Sequence, residues 1–143
     1  MYNPFKEIHN LLGMVILFIL LIVLIVHLVT FLRKKSFGKL SKITSLAGLV
    51  LVHTQIIFGV VLYFLSPLGL ENFSGEAMGH KISRFYIVEH PIGMLLAAIL
   101  ITIGYRRSKN TSLPDNKRHL QILIFYTLGF VLITYLIPWF LWN

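Results

Sequence analysis

Hydrophobic residues run along the chain in four long blocks that are separated by shorter polar connections. We place the blocks at about residues 11–32, 46–65, 85–105 and 120–141. Each is close to the ~20 apolar residues that an α-helix needs to cross the hydrocarbon of a bilayer. A segment in lipid must satisfy its own backbone polar groups, and the blocks lack the alternation of a barrel. The pattern therefore predicts membrane-spanning helices.

Short connections between the blocks favour an all-α, antiparallel four-helix bundle, with a single transmembrane domain over residues 1–143. The first block is too long for the core of a signal peptide, and no small-residue cleavage site follows it. We therefore interpret it as a span. The longest connection, residues 67–83, is too short to form a domain of its own.

Basic residues are concentrated in the first and third connections, and the whole chain has a formal net charge of +8. They are Arg33, Lys34, Lys35, Lys39 and Lys42, then Arg106, Arg107, Lys109, Lys117 and Arg118. Such an excess marks the cytoplasmic side of a membrane, so both termini are predicted outside (N-out/C-out). Trp139 and Trp142 fit the outer interface. Contact with anionic lipid explains the charge better than nucleic acid does.

The chain contains no cysteine. This excludes disulfides, iron–sulfur clusters, a thiolate haem ligand and the attachment site of a c-type haem. The sequence also shows no nicotinamide or flavin fold. A cofactor in this chain would have to be held by other side chains.

Six histidines stand out in a chain that is 57% hydrophobic. All except His80 lie in or at the ends of the predicted spans. Ionisable groups at such depth cost roughly 2.5 kcal/mol or more unless they are satisfied, and they are functional by default. Two imidazoles from facing helices can hold a b-type haem without covalent attachment.

His9 and His90 form the pair that we favour as ligands of a haem iron. Both are predicted at the outer ends of spans one and three, which run in the same direction and can face each other diagonally. Gly13 and Gly93 share the faces of these histidines and would leave space for a flat porphyrin. Arg84, just outside, is placed where the propionates of the haem would emerge.

His53 and His119, in spans two and four, are candidates for a second haem iron. Counting from the inner ends places them roughly 10 Å apart in depth. His27 matches His53 better in depth, but it lies on a neighbouring helix. The alternative for each of these histidines is a hydrogen bond to a carbonyl group or to water, so one haem or two stays open.

Glu89 adjoins His90 in the sequence and points about 100° away from it on a helix. Orientation of the His90 region, proton transfer at a quinone pocket and contact with interfacial water are open roles for this carboxyl group. Gln55, Tyr63 and Tyr86 are candidates for lining a quinone site. Interfacial tyrosines and a glutamine between helices are the alternative.

Several stretches resemble a small bacterial family of four-helix membrane proteins called cytochrome b. They are Met1-Tyr2-Asn3 with Ile8-His9, His53-Thr54-Gln55 through Tyr63-Phe64-Leu65-Ser66-Pro67, Val88-Glu89-His90-Pro91, and Ile122-Leu123-Ile124-Phe125-Tyr126-Thr127. The resemblance implies a multi-pass protein of the bacterial inner (cytoplasmic) membrane that carries haem b.

Two other families are similar in architecture. Half of haem A synthase is a four-helix bundle with a histidine pair near its outer face and a Gln-x-x-x-Gly stretch like Gln55 to Gly59, which implies His9 and His90 as ligands. Diheme transmembrane cytochromes b take their ligands from diagonal helices. This second resemblance implies His53 with His119 as well.

The sequence thus predicts a membrane b-type cytochrome that transfers electrons through a bis-histidine haem. We expect a subunit of a quinone-linked respiratory or redox complex rather than a free-standing enzyme, and no catalytic residue is assigned. The alternatives are a cofactor-free accessory subunit of a large membrane complex and a haem-modifying enzyme similar to haem A synthase.

Overall fold

The computed structural model describes residues 2–139, and within this range the chain forms helices without any strand. The helices are α1 (Tyr2–Leu32), α2 (Lys39–Leu65), the short α3 (Gly75–Gly79), α4 (Lys81–Ser108) and α5 (Asp115–Tyr135). Helices α1, α2, α4 and α5 are long and apolar enough to cross a membrane. The prediction of an all-helical chain with four such helices is confirmed.

The ends of the helices differ from the ends of the hydrophobic blocks. Helix α1 already begins at Tyr2 and α2 at Lys39, because polar residues at a membrane surface can continue a helix beyond the hydrocarbon. Helix α5 ends at Tyr135, well before the predicted end. Pro138 explains this end, since a proline just beyond the last turn cannot continue the helix. Residues 140–143, which include Trp142, lie outside the described residues.

Pro91 lies inside the long helix α4, where a proline would normally break the hydrogen-bond ladder. The regular α-helical part begins at His90, and a π-helical turn, Phe85–Glu89, joins it to the first turn of α4. Because Pro91 has no N–H, the carbonyl of Ile87 lacks its usual helical donor. The hydroxyl of Tyr63 on α2 donates to that carbonyl at 3.1 Å. This hydrogen bond therefore links the π-helical turn of α4 to α2.

Each of α1 and α4 packs against both α2 and α5. The core between the helices contains Ile16, Leu20, Val23, Val52, Ala97, Ile101, Ile122 and Tyr126. Small residues let the backbones approach closely. A Cβ atom on Gly48 would lie 3.2 Å from side-chain atoms of Leu20 and Tyr126, and one on Gly129 would lie 2.8 Å from Ile101.

The bundle has two unlike ends. We call one the cavity end, because a cavity there is lined by the start of α1, the end of α2 and the π-helical region of α4. The other is the closed end, where the loop between α1 and α2 folds against the start of α5. The segment between α2 and α4 lies at the cavity end, and its Leu68, Gly69 and Phe73 contribute to the cavity wall.

Candidate functional site

Helices α1 and α4 bring His9 and His90 together at the cavity end. Their ring centroids are 6.3 Å apart, and the ring planes are inclined by 70°. The two residues that the sequence analysis paired are thus neighbours in space, although they are far apart in the chain. Their role as metal ligands stays a prediction.

A cavity of about 660 Å³ lies beside the two imidazoles. This volume is within the roughly 300–1,000 Å³ that is typical of cofactor and ligand sites. Several apolar residues of its wall are also exposed on the outer surface of the helices; they include Phe64, Phe73 and Ile92. The wall of the cavity therefore reaches the outer surface of the protein through apolar side chains.

The imidazole of His90 is held by the end of α5. Its Nδ1 lies 2.8 Å from the carbonyl oxygen of Leu136, which follows the last helical residue and so has no helical N–H to accept. A carbonyl can only accept, so Nδ1 of His90 carries the proton and Nε2 carries the lone pair. Metal-binding histidines commonly have this arrangement, in which the nitrogen away from the metal donates to a carbonyl.

Residue His9 is held differently, by contacts that α2 makes with its backbone and its ring. The amide Nε2 of Gln55 donates to the backbone carbonyl of His9 at 2.8 Å. One turn further along α2, a Cβ atom on Gly59 would lie 3.3 Å from Cε1 of His9, so the glycine leaves room for the ring. Two buried atoms here have no hydrogen-bond partner, Nδ1 of His9 and Oε1 of Gln55.

The two glycines predicted to make room for a porphyrin have different surroundings. Gly13 lines the cavity, and a Cβ atom there would lie 3.3 Å from Nε2 of Gln55. Gly93 is buried outside the lining, and the side chain of Leu136 fills the space that its missing Cβ leaves. Gly59, on α2, is the glycine that actually adjoins the ring of His9.

Two basic residues near the site, Arg84 and Lys6, have different surroundings. The Nε of Arg84 donates to Oε1 of Glu89 at 2.8 Å, and both side chains are exposed outside the lining of the cavity. Lys6, which the sequence analysis did not single out, does line the cavity. Its spacing of three residues from His9 on α1 could have indicated this, because such residues share a helix face.

The predicted inner pair, His53 and His119, does not form. His53 is exposed on α2, where its Nδ1 donates to the carbonyl of Leu49 at 2.8 Å and its Nε2 lies 3.3 Å from Oγ1 of Thr102. His119 instead meets His27, with 3.0 Å between their Nδ1 atoms. The face of α2 explains the difference, because the buried positions of this helix exclude His53.

The closed end is filled by side chains around His27 and His119, which are both fully buried. The ring of Phe37 packs against both imidazoles, with centroids 5.5 and 4.9 Å away. The guanidinium of Arg118 lies 4.2 Å from the centroid of Phe37 and donates to the carbonyl of Ser108. These contacts explain His27 and His119 as residues that pack the closed end, although Nε2 of His27 has no hydrogen-bond partner.

Comparisons of the chain with protein-family models, with curated proteins and with solved structures found no match. Within residues 2–139, no three histidine, aspartate or glutamate side chains are grouped so that they could hold a metal ion by themselves. The features of this chain that point to a function are therefore a pair of imidazoles, His9 and His90, and the cavity beside them.

Proposed function

We propose that the chain is a membrane b-type cytochrome, in which His9 and His90 would hold the iron of one haem b. The separation of the two rings is the observation that carries this proposal. Metal–imidazole bonds are about 2 Å long, so an iron held between two imidazoles would separate the ring centroids by roughly 6 Å. The distance between the centroids of His9 and His90 is 6.3 Å.

The surroundings of the two rings support the same proposal. The tautomer of His90 leaves Nε2 with its lone pair, and Nδ1 of His9 has no hydrogen bond that would fix the tautomer of that ring. A planar apolar cofactor suits the largely apolar wall. Lys6 is the basic residue among the described lining residues and would neutralise the carboxylates of the cofactor. Haem supplies one-electron transfer when it is bound in this way.

We further propose an antiparallel four-helix bundle with both termini outside a bacterial cytoplasmic membrane. The basic connections flank the closed end, and by the distribution of charge this end faces the cytoplasm. His9 and His90 would then lie near the outer face. The closed end would contact anionic lipid through residues such as Lys35 and Lys109.

The partner that we propose is a quinone-linked redox complex, in which this chain is an electron-transfer subunit. Exposed apolar residues such as Phe64 and Ile92 border the cavity, and they support a partner that is soluble in lipid. A quinone has the required combination of an apolar body and one-electron chemistry.

Haem content tests the proposal directly. The chain would be expressed with an adequate haem supply, purified in detergent and assayed by pyridine haemochrome. We expect about one haem b per chain and a low-spin bis-imidazole spectrum. His9→Ala and His90→Ala should each lose the haem, whereas His53→Ala and His80→Ala serve as matched controls that keep it. A colourless wild-type protein, or haem retained in both ligand variants, would overturn the proposal.

A further inference from the structure

The two proposed ligands are not equally supported at their second nitrogen. His90 donates from Nδ1 to the carbonyl of Leu136. The corresponding Nδ1 of His9 is buried and has no partner. A histidine that binds metal through one nitrogen almost always donates its other N–H to an acceptor. On the α1 side of the site this acceptor is still missing.

Gln55 has the complementary deficiency. Its Oε1 is buried without a donor, while its Nε2 is bound to the backbone carbonyl of His9 itself. The orientation of this amide follows from chemistry, since the group that faces a carbonyl oxygen must be the NH₂ group. The remaining atom, Oε1, must be an acceptor. One residue thus lacks an acceptor, and the residue bound to it lacks a donor.

We infer that Gln55 is a positioning residue for the ligand His9, and that its Oε1 accepts the Nδ1–H hydrogen bond of His9 when Nε2 of that histidine binds the haem iron. The inference rests on the proposed function. A Cβ atom on Gly13 would lie 3.3 Å from Nε2 of Gln55 and one on Gly59 would lie 3.3 Å from Cε1 of His9, so both side chains pack close to a glycine. The two unsatisfied atoms belong to residues that the Nε2 bond already joins, and one hydrogen bond between them would satisfy both.

This hydrogen bond has a consequence for the electronic properties of the site. An acceptor on Nδ1–H makes Nε2 of His9 a more basic ligand and fixes the plane of the ring. A more basic ligand favours ferric over ferrous iron, so Gln55 lowers the reduction potential. The carbonyl of Leu136 has the same effect on His90, and the two ligands become equivalent.

The test compares three variants in the full-length protein purified with haem. Gln55→Leu removes both the amide donor and the acceptor, whereas Gln55→Glu removes the donor but keeps an acceptor, now with negative charge. Gln121→Leu on α5, away from the cavity, is the matched control. The measurements are the midpoint potential, by redox titration of the absorbance, and the affinity for haem.

We expect Gln55→Leu to raise the midpoint potential and to weaken haem binding by about 10–100-fold, the usual effect of losing such a contact. Gln55→Glu should bring the potential below that of the wild type, and Gln121→Leu should change neither quantity. If Gln55→Glu behaves like Gln55→Leu, the glutamine acts only through its Nε2 anchor and the inference is wrong. It is also wrong if a red Gln55→Leu protein keeps the wild-type potential. A colourless wild type would instead overturn the proposed function.

Discussion

Each end of the bundle holds two histidines from different helices, and the two pairs differ in what lies between the rings. At the closed end, the Nδ1 atoms of His27 and His119 are 3.0 Å apart, so these rings bind each other directly. At the cavity end, the centroids of His9 and His90 are 6.3 Å apart beside a cavity. A pair of histidines therefore indicates a site only where space and unused nitrogen atoms remain.

The difference arises from the neighbours of each pair. Phe37 packs against both rings at the closed end, where the Nδ1 atoms contact each other and Nδ1 of His119 also lies 3.3 Å from Oγ1 of Thr30. At the cavity end, the end of α5 supplies a free carbonyl for His90, and α2 binds the backbone at His9. Those contacts hold the rings in place without bringing them into direct contact.

Filling the cavity end should have the largest effect on function. In Gly59→Leu, the new side chain would occupy the space beside the ring of His9, where even a Cβ atom would lie 3.3 Å from Cε1. We expect haem content to fall at least tenfold, by analogy with other losses of support around a metal ligand, while the helical circular dichroism spectrum is unchanged. Gly79→Leu is the control, because nothing lies within 4 Å of a Cβ atom there. Full haem content in Gly59→Leu would contradict the placement of the cofactor.

Breaking the closed end should affect stability and leave the cofactor in place. His119→Leu preserves bulk but leaves Nδ1 of His27 buried without a partner. Such an unsatisfied group costs about 1–3 kcal/mol. We expect this loss in reversible unfolding in mixed detergents, together with an unchanged ratio of haem to protein. Loss of haem without loss of stability would mean that the closed end is itself a cofactor site.

The smallest effect is expected from the ion pair beside the cavity end. Arg84 and Glu89 have side chains that are 45% and 43% exposed, and exposed ion pairs contribute only about 0–1 kcal/mol. Arg84→Gln should therefore change the unfolding free energy by less than about 1 kcal/mol and keep the full haem content. Lys6→Gln is the informative comparison, because Lys6 lines the cavity. A greater loss of haem in Arg84→Gln than in Lys6→Gln would reverse our assignment of the basic residue.

The sequence predicted the four membrane-length helices because length and apolarity are local properties. It also predicted that His9 and His90 meet, since depth can be counted along a helix from each end. The ends of α1 and α5 were harder to predict from the sequence, because a hydrophobic block shows where lipid lies and not where the backbone stops being helical. Pro138 was the local signal for the end of α5.

The angular positions of side chains around the helix axes were harder to predict from the sequence. His53 was paired with His119 because their spans were expected to face each other diagonally, whereas the buried positions of α2, Ser41, Ser45, Gly48 and Val52, define a face that His53 does not share. Gln55 and Gly59 continue that face by helical spacing. This series of small and polar residues was visible in the sequence. It could have identified the residues that contact His9.

The π-helical turn ahead of His90 has a consequence for changes in chain length. A π turn accommodates one residue more than the α geometry around it. Deleting one residue from the turn would restore a continuous α-helix up to His90, and the segment before the turn would keep its orientation. His90 and everything after it would keep their positions. A deletion of one residue in this turn would thus leave His90 in place.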